Sequence, residues 1–409
     1  MKKTVFLHIG YYKTGTSSIQ NYCDTHRKEL LAQGILYLET STVFIPNGSH
    51  SFLALRRFEE IGEGTSQWFR IAFPKLEKVP TAAQLWRQAK REIDTSPASR
   101  IVISSEAFVK YASNKKKKAL IREVKEHLAP YDVSIVCYLR RQDDYLESWH
   151  NQLVKMGMPV PESCSFDSLE GVKLIHKNFL ETLDAWEEVF GRERMIVRIY
   201  DRDALIGKDI VSDFLHVVSG GGDAVTQSSV RKNVGLATRL VELKRRCNHY
   251  LVGKDERRRM GNARLKEVLK TVEKIQSSLS DNRAYRLLTP DERRRIMKRN
   301  EEINREISNR YFSGRWPLFP DIKKEDERTA VAGEPEQIDT LLTVLGMVTK
   351  RYLKVCTASG DGRRTGELLQ RIERIERSRS WRITAPLRWL SKRLQNRMGR
   401  CIALNHERT

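Results

Sequence analysis

A lysine, two glycines and several hydroxyl side chains are concentrated in one short turn, GYYKTGTSS at positions 10–18. Lys13 carries a full positive charge, and Thr14, Thr16 and Ser17 supply hydroxyl donors. Helical spacing of apolar residues begins directly after the turn, so the free N–H groups of a first helical turn would point into it. The helix dipole would add partial positive charge at the same place. These residues therefore predict a cradle for an anion of the phosphate or sulfate type.

The order of residues separates this turn from a nucleotide-triphosphate loop. The ATP and GTP loop reads G-x-x-x-x-G-K-[ST], with its lysine directly after the second glycine. Here Gly15 follows Lys13, and the order is K-T-G-T-S. An ordinary strand-to-helix turn with a chance lysine is the alternative for one short motif, so a second anion-binding element is needed.

An arginine and a serine form that second element. The buried-strand run VSIVCYL ends directly before Arg140, and Asp143 or Asp144 can cap a following helix that carries Ser148. A planar guanidinium bonds two phosphate oxygens at once, and a serine adds a neutral donor. The pair therefore suits a second phosphate. The alternative is that Arg140 and its neighbour Arg141 only pair with the two aspartates.

The elements that would hold these residues follow from the apolar pattern. Residues 4–9 are a short β-branched run, helical spacing after the turn continues to Gly34, and 35–38 reads as a second strand. Further strand-like runs lie at 100–105, 133–139 and 195–200. Alternating strands and helices predict an α/β fold with a parallel sheet flanked by helices.

Composition and charge limit the classes of partner. The chain has 409 residues, 74 Lys and Arg against 52 Asp and Glu, and a formal net charge of +22. This excess predicts an anionic partner such as a doubly phosphorylated cofactor, an acidic glycan, nucleic acid or a membrane surface. No recognition-helix, zinc-finger or RNA-binding pattern accompanies the charge, so we expect no specific nucleic acid. The six cysteines contain no C-x-x-C and the nine histidines no H-E-x-x-H, and we expect no metal.

Four stretches together resemble a bacterial-type group of sulfotransferases that act on surface carbohydrates and use 3′-phosphoadenosine-5′-phosphosulfate (PAPS). The stretches are HIGYYKTGTSSIQ at 8–20, ISSE at 103–106, YLRRQDDYLESWHNQ at 138–152 and LLTPDERRRI at 287–296. They cover roughly the first three quarters of the chain. The resemblance implies a P-loop-like fold of three layers. The charged stretch at 321–336, with Gly333 and Pro335, predicts a linker. It separates an α/β domain at 1–320, which is helical and basic from 236 onwards, from a helical basic carboxy-terminal extension at 337–409.

The resemblance also implies roles for individual residues. The 5′-phosphosulfate would lie on Lys13, Thr14, Gly15, Thr16 and Ser17, and the 3′-phosphate on Arg140 and Ser148. Arg231 and Lys232 are similar to a late Arg-Lys-Gly segment that contacts the 3′-phosphate in some members, although Asn233 replaces the glycine. A basic first turn of the next helix is the alternative for these two residues.

Sulfuryl transfer to an alcohol needs a base that takes the hydroxyl proton. Glu106 follows the run RIVISS and so lies at the carboxyl end of a strand, where ligands bind in open α/β sheets. The resemblance implies a His or Glu base at this place. His50, after an Asn-Gly turn, is the second candidate because it could meet the acceptor hydroxyl. The alternatives are that Glu106 caps a helix or pairs with a lysine, and that His50 is a surface or capping residue.

The resemblance thus implies a PAPS-dependent sulfotransferase of polysaccharide biosynthesis that modifies a hydroxyl of a carbohydrate acceptor, and we expect it to need no metal. No stretch approaches the roughly 20 apolar residues of a spanning helix, and we expect a cytoplasmic protein at the inner face of the membrane. The mixed aromatic and basic segment 381–394 suits a membrane interface, and a tail helix packed on the main domain is its alternative. A P-loop kinase of a small molecule or sugar, with Glu106 on magnesium, and a polyanion-binding module are the rival functions.

Overall fold

The computed structural model of this chain describes residues 2–40, 48–63, 80–113, 115–156, 178–221 and 287–321, and the single positions 42, 158, 160, 241 and 245. Several sequence predictions lie outside these residues. They are the phosphate contacts Arg231 and Lys232, the linker after Asp321, and the tail at 337–409 with its segment 381–394.

The chain divides into two compact units. The first comprises Met1–Gln152, Val160–Gly235 and Leu288–Arg328, and the second comprises Leu153–Pro159, Leu236–Leu287 and Thr329–Thr409. The sheet lies entirely in the first unit. The segment Leu236–Leu287, which the sequence analysis assigns to the 1–320 domain, falls in the second unit.

One parallel sheet of five strands forms the centre of the first unit. The strands are β1 (Thr4–His8), β2 (Ile35–Tyr37), β3 (Arg100–Ser104), β4 (Asp132–Leu139) and β5 (Met195–Ile199). Their order is β2-β3-β1-β4-β5, and every neighbouring pair is parallel. His8 pairs with Ser104 on one side and with Val136 on the other, so β1 lies between β3 and β4. The strands match the apolar runs of the sequence, and the predicted α/β fold is confirmed.

Helices cover both faces of the sheet. The described helices are α1 (Thr16–Thr25), α2 (Arg27–Ala32), α3 (Ser51–Glu60), α4 (Ala82–Thr95), α5 (Lys115–Leu128), α6 (Gln142–Lys155), α7 (Phe179–Phe190), α8 (Ile210–Ser219), α9 (Pro290–Arg299) and α10 (Glu301–Tyr311). Capping residues mark the ends of two of these helices. The Asp209 carboxylate accepts from the N–H groups of Val211 and Ser212 at the start of α8. Gly191, with φ of +89°, follows the last residue of α7. Within the described ranges, none of the helices combines the length and hydropathy of a membrane span.

The alternation of side chains along β1 divides the core into two layers. Val5 and Leu7 point into a large apolar cluster, whereas Phe6 points into a smaller cluster on the opposite face. The large cluster includes residues of α3, α4, α5, α7 and α10, and the smaller one includes residues of α1, α2 and α8. Full burial of one such aliphatic side chain contributes about 1.5–3 kcal/mol.

The helices that follow β1 lie on the opposite face of the sheet from the helix that follows its neighbour β3. Helices α1 and α2, which follow β1, pack on one face, whereas α3 and α4, which follow β2, and α5, which follows β3, pack on the other. In open α/β sheets, ligands bind at the carboxyl edge beside such a change of face. The turn at 10–15, between β1 and α1, lies at this edge.

Candidate active site

The turn after β1 has a backbone that favours glycine at two of its positions. Gly10, Lys13 and Gly15 have φ of +60°, +68° and +82°. A Cβ on Gly10 would lie 3.0 Å from Thr16 Oγ1. On Gly15, a Cβ would lie 2.9 Å from Ile210 Cγ1. Lys13 holds a left-handed conformation without being glycine, and such strain is concentrated at functional sites.

Two threonine hydroxyls hold the turn from within. Thr14 Oγ1 donates to the carbonyl of Tyr11 at 2.6 Å, and Thr16 Oγ1 donates to the same carbonyl at 3.4 Å. The Tyr11 N–H donates back to Thr14 Oγ1 at 3.3 Å. The hydroxyl of Thr14 is therefore a support of the turn and not the free donor that the sequence analysis assigns to it.

The N–H groups at the start of α1 remain available to a ligand. Gly15 is the N-cap residue of α1, it offers no side-chain cap, and the first turn contains no acidic residue. Among the described residues, no protein acceptor takes the N–H groups of Gly15, Thr16 or Ser17. Unpaired N–H groups and the positive end of a helix dipole favour an anion at this place.

The arginine that ends β4 reaches the lysine turn. Arg140 Nη1 donates to the backbone carbonyl of Lys13 at 3.0 Å. Its guanidinium carbon lies 5.6 Å from the ring centre of Tyr200, a geometry of the cation–π type. Tyr200 follows β5, and its N–H donates to the Leu139 carbonyl at 2.7 Å. The two anion-binding elements predicted from sequence thus come together at one edge of the sheet.

Helix α6 presents one face to the same turn. Lys13 Nζ donates to Gln152 Oε1 at 3.3 Å, and the Trp149 ring stacks on Tyr12 with centroids 5.2 Å apart. Ser148 precedes Gln152 by one helical turn and therefore lies on the same face of α6. The half-buried Ser148 is thus on the side of α6 that faces Lys13.

Of Arg140 and Arg141, only Arg141 pairs with one of the two aspartates that follow, which was the alternative to phosphate binding. Arg141 forms two hydrogen bonds to the Asp143 carboxylate, at 2.9 and 3.0 Å. Arg140 has a different partner, the Lys13 carbonyl. The buried Arg293 completes the pairing of Asp143, at 2.9 Å. Arg140 is therefore not neutralised by the aspartates that follow it.

One arginine of the basic run at 293–295 is buried, namely Arg293, whereas Arg294 and Arg295 are exposed. The Arg293 side chain is 1% exposed and forms ion pairs with Asp143, Asp144 and Glu147, on α6. Burial and the neighbouring Asp144 raise the pKa of Asp143, and the two arginines oppose this shift. Arg294 beside it is exposed and pairs with Asp291. The register of α9 decides which arginine enters the core.

Glu106 lies against the turn from the other side of β1. It is half-buried and is the first residue of a 3-10 helix, Glu106–Ser113, directly after β3. The Gly10 backbone approaches it so closely that a Cβ on Gly10 would lie 3.3 Å from the Glu106 Cα. Gln20 Nε2 donates to Glu106 Oε2 at 3.1 Å. The carboxylate thus reaches the edge where Lys13 and Arg140 meet, and its contact is an amide instead of a lysine.

His50 is fully buried, and backbone groups take both of its ring nitrogens. The Ser104 N–H donates to Nδ1 at 3.1 Å, and Nε2 lies 2.9 Å from the Leu38 carbonyl, to which it donates. Burial lowers the pKa of His50 to about 4, so the ring is neutral. His50 is therefore neither a surface residue nor a side-chain cap of α3, and its occupied nitrogens make it a weak candidate for the base.

Three contacts of this edge escaped the sequence analysis, namely Gln20, Gln152 and Tyr200. Gln152 could have been found from its spacing of one helical turn after Ser148. The other two depend on which strands are neighbours. Among the described residues, no group of three or more His, Cys, Asp or Glu is placed to hold a metal ion.

Comparison with known proteins gives little functional information. No family model matches the chain, and no solved structure matches it. An uncharacterized protein of Archaeoglobus fulgidus is 30% identical over 151 residues, which is 37% of this chain and 39% of that protein. The chain therefore spans well under half the length of this relative, whose name describes no activity.

Proposed function

We propose that this chain is a sulfotransferase of P-loop-like architecture that moves a sulfuryl group from PAPS to a hydroxyl of a carbohydrate acceptor. The observation that carries the proposal is the hydrogen bond from Arg140 to the carbonyl of Lys13. This bond brings the Arg140 guanidinium, which suits the 3′-phosphate, beside the turn of Lys13, which suits the 5′-phosphosulfate. A nucleotide with phosphates at both its 3′ and 5′ positions needs two anion sites at such close range.

The residues at the sheet edge fit the two charged ends of this nucleotide. The free N–H groups of Gly15, Thr16 and Ser17 and the Lys13 ammonium suit the 5′-phosphosulfate. The remaining donors of Arg140 and the Ser148 hydroxyl suit the 3′-phosphate. The predicted additional contacts at Arg231 and Lys232 belong to this proposal as well. When bound, PAPS supplies the sulfuryl group.

The chemistry of the proposed transfer divides between two side chains. Glu106 takes the proton of the acceptor hydroxyl as its oxygen bonds to sulfur, which makes the carboxylate the general base. Lys13 neutralises the negative charge that builds up on the bridging oxygen as the bond from that oxygen to sulfur breaks. Because fixed cations meet this charge, the proposal includes no divalent metal. His50 is the weaker candidate for the base, since its nitrogens are occupied.

We also propose the class of acceptor and the place of the enzyme in the cell. The formal net charge of +22 supports an acidic carbohydrate. We place the enzyme in the cytoplasm at the inner face of the membrane, with segment 381–394 as a peripheral contact, in keeping with polysaccharide assembly. No specific nucleic acid is part of this proposal.

Nucleotide binding tests the proposed function directly. We expect 3′,5′-bisphosphoadenosine to raise the melting temperature without magnesium, because ligand binding stabilises the folded state by mass action. Lys13→Ala and Arg140→Ala should each weaken this effect, whereas Lys28→Ala, at an exposed lysine of α2, should not. Stabilisation by ATP with magnesium alone would favour a kinase. Binding of polyanions without either nucleotide would favour the polyanion-binding module.

A further inference from the structure

A buried glutamine connects α1 to the end of β3. Gln20 is 0% exposed, and its Nε2 lies 3.3 Å from the Ser104 carbonyl and 3.4 Å from Ser104 Oγ. The same Nε2 lies 3.1 Å from Glu106 Oε2. One amide group therefore contacts both the last residue of β3 and the carboxylate that follows it.

The chemistry of the partners fixes the orientation of this amide. A carbonyl oxygen and a carboxylate oxygen only accept hydrogen bonds, so the NH2 end of Gln20 must face both of them. One N–H points to Ser104 and the other to Glu106. The anchor on β3 backbone prevents the amide from turning away from the carboxylate.

The titratable groups around Glu106 keep one charge state near neutral pH. Burial raises the pKa of Tyr12 in the turn and of Tyr37 on β2 well above its usual value, and the charge of the carboxylate adds a smaller contribution to each. His8 and His50, which both contact Ser104, have their pKa lowered by burial to about 3 and about 4. These four groups stay neutral where the proposed reaction would run.

We propose that Gln20 is a positioning residue, which holds Glu106 Oε2 so that the other carboxylate oxygen is directed to the proton of the acceptor hydroxyl. This inference rests on the proposed function of Glu106 as the base. A glutamate side chain at a sheet edge has several rotamers. The bond from Gln20, itself anchored on Ser104, selects one of them.

Variants of similar shape separate positioning from folding. Gln20→Met removes the donor, and Gln20→Glu places a second carboxyl against Glu106. Gln33→Leu, at an exposed glutamine after α2, is the matched control. Infrared difference spectra identify the Glu106 carboxylate as the band that Glu106→Gln lacks. Affinity for 3′,5′-bisphosphoadenosine should stay within about twofold of the wild type in both Gln20 variants if the sheet edge is intact, because that ligand needs no base.

The frequency of this band decides the question. In Gln20→Met the carboxylate stretch should shift, because Glu106 Oε2 loses the hydrogen bond from the amide. In Gln20→Glu it should shift as well, because a carboxyl group replaces the amide that donates to Oε2. The kcat of transfer should fall in both variants, while the KM for PAPS stays within about twofold of the wild type. An unchanged frequency in both Gln20 variants would overturn the role of Gln20, whether or not the protein transfers sulfate. A shifted frequency without transfer in the wild type would retain the Gln20 contact and reject the proposed function.

Discussion

Arg140 Nη1 donates a hydrogen bond to the carbonyl of Lys13 at 3.0 Å, across 127 positions of sequence. The bond exists because β4 is the neighbour of β1, so the two strand ends open on the same edge. It uses one donor of the guanidinium, and within the described part of the chain no carboxylate takes the others, which suit a ligand. The relationship between these two residues is the basis of the predictions on ligand binding and catalysis.

Lys13→Ala should remove sulfuryl transfer while the protein stays folded. The loss expected is at least about 100-fold, because the ammonium meets charge that develops only in the transition state. Transfer of labelled sulfate from PAPS to a carbohydrate acceptor measures the effect, and Lys28→Ala is the matched control. Normal turnover by Lys13→Ala would reject the proposed mechanism.

Arg140→Ala should weaken binding of a nucleotide that carries a 3′-phosphate. We expect the affinity for 3′,5′-bisphosphoadenosine to fall about 10- to 100-fold, the range of one charge-assisted interaction, and that for 5′-AMP to change less. Isothermal titration calorimetry with both nucleotides measures the difference. Arg122→Ala, at an exposed arginine of α5, should bind both like the wild type. Equal losses for the two nucleotides would exclude Arg140 as the 3′-phosphate contact.

Gly15→Ala should destabilise the protein more than Gly62→Ala does. Both glycines have positive φ, +82° and +69°, but a Cβ meets side chains 2.9 Å away at Gly15 and nothing within 4 Å at Gly62. We expect a loss of about 2–4 kcal/mol at Gly15 and about 1 kcal/mol at Gly62. Urea unfolding monitored by circular dichroism measures both. Equal losses would mean that the turn relaxes away from Tyr200 and Ile210.

Arg293→Met should be far more destabilising than Arg294→Met on the same helix. Removal of the buried Arg293 leaves the carboxylates of Asp143 and Glu147 without this partner, which costs about 3–5 kcal/mol for a buried pair. Arg294 is exposed, and its pair with Asp291 contributes less than about 1 kcal/mol. Denaturant midpoints of the two variants give the comparison. Similar midpoints would show that the ion pairs of Arg293 do not stabilise the fold.

Acid should destabilise the protein through its two buried histidines. The pKa of His50 falls from its ordinary value of 6.5 to about 4 and that of His8 from 6.5 to about 3. The unfolded chain therefore binds protons below about pH 6.5 that the folded chain does not, and stability is lost as pH falls, by about 1.4 kcal/mol per unit for each histidine. The pH dependence of unfolding free energy should be shallower between pH 4 and 6.5 in His50→Gln. If the unfolding free energy of this variant depends on pH as steeply as that of the wild type, His50 does not contribute to the acid destabilisation.

Local physics made the strands and the lysine turn predictable. The apolar runs match β1, β3, β4 and β5 to within one residue at each end, because buried parallel strands need continuous hydrophobic sequence. Gly15 and Lys13 stand out by spacing alone. The arginine–serine pair was also visible, since a strand end and the next helix are local features.

The interior contacts of the site were not predictable in the same way. His50 was a candidate base in sequence, yet the fold gives both of its nitrogens to backbone groups of Leu38 and Ser104. Arg293 was one of three similar arginines, and the docking of α9 on α6 selected it for burial. Gln20 had no distinguishing pattern beside its hydroxyl-rich neighbours.

The strands, the helices and the glycine–lysine turn of this protein follow from side chains within a few positions of one another, and its excess of positive charge follows from composition. Tertiary structure alone decided that β3 and β4 lie on either side of β1. That order brings Glu106 and Arg140 to the turn of Lys13. Glu106 contacts Gln20, which is 86 positions away in sequence, and Arg140 contacts Lys13, which is 127 positions away. The physical reason is that strand pairing depends on the packing of the whole sheet, which no local pattern encodes.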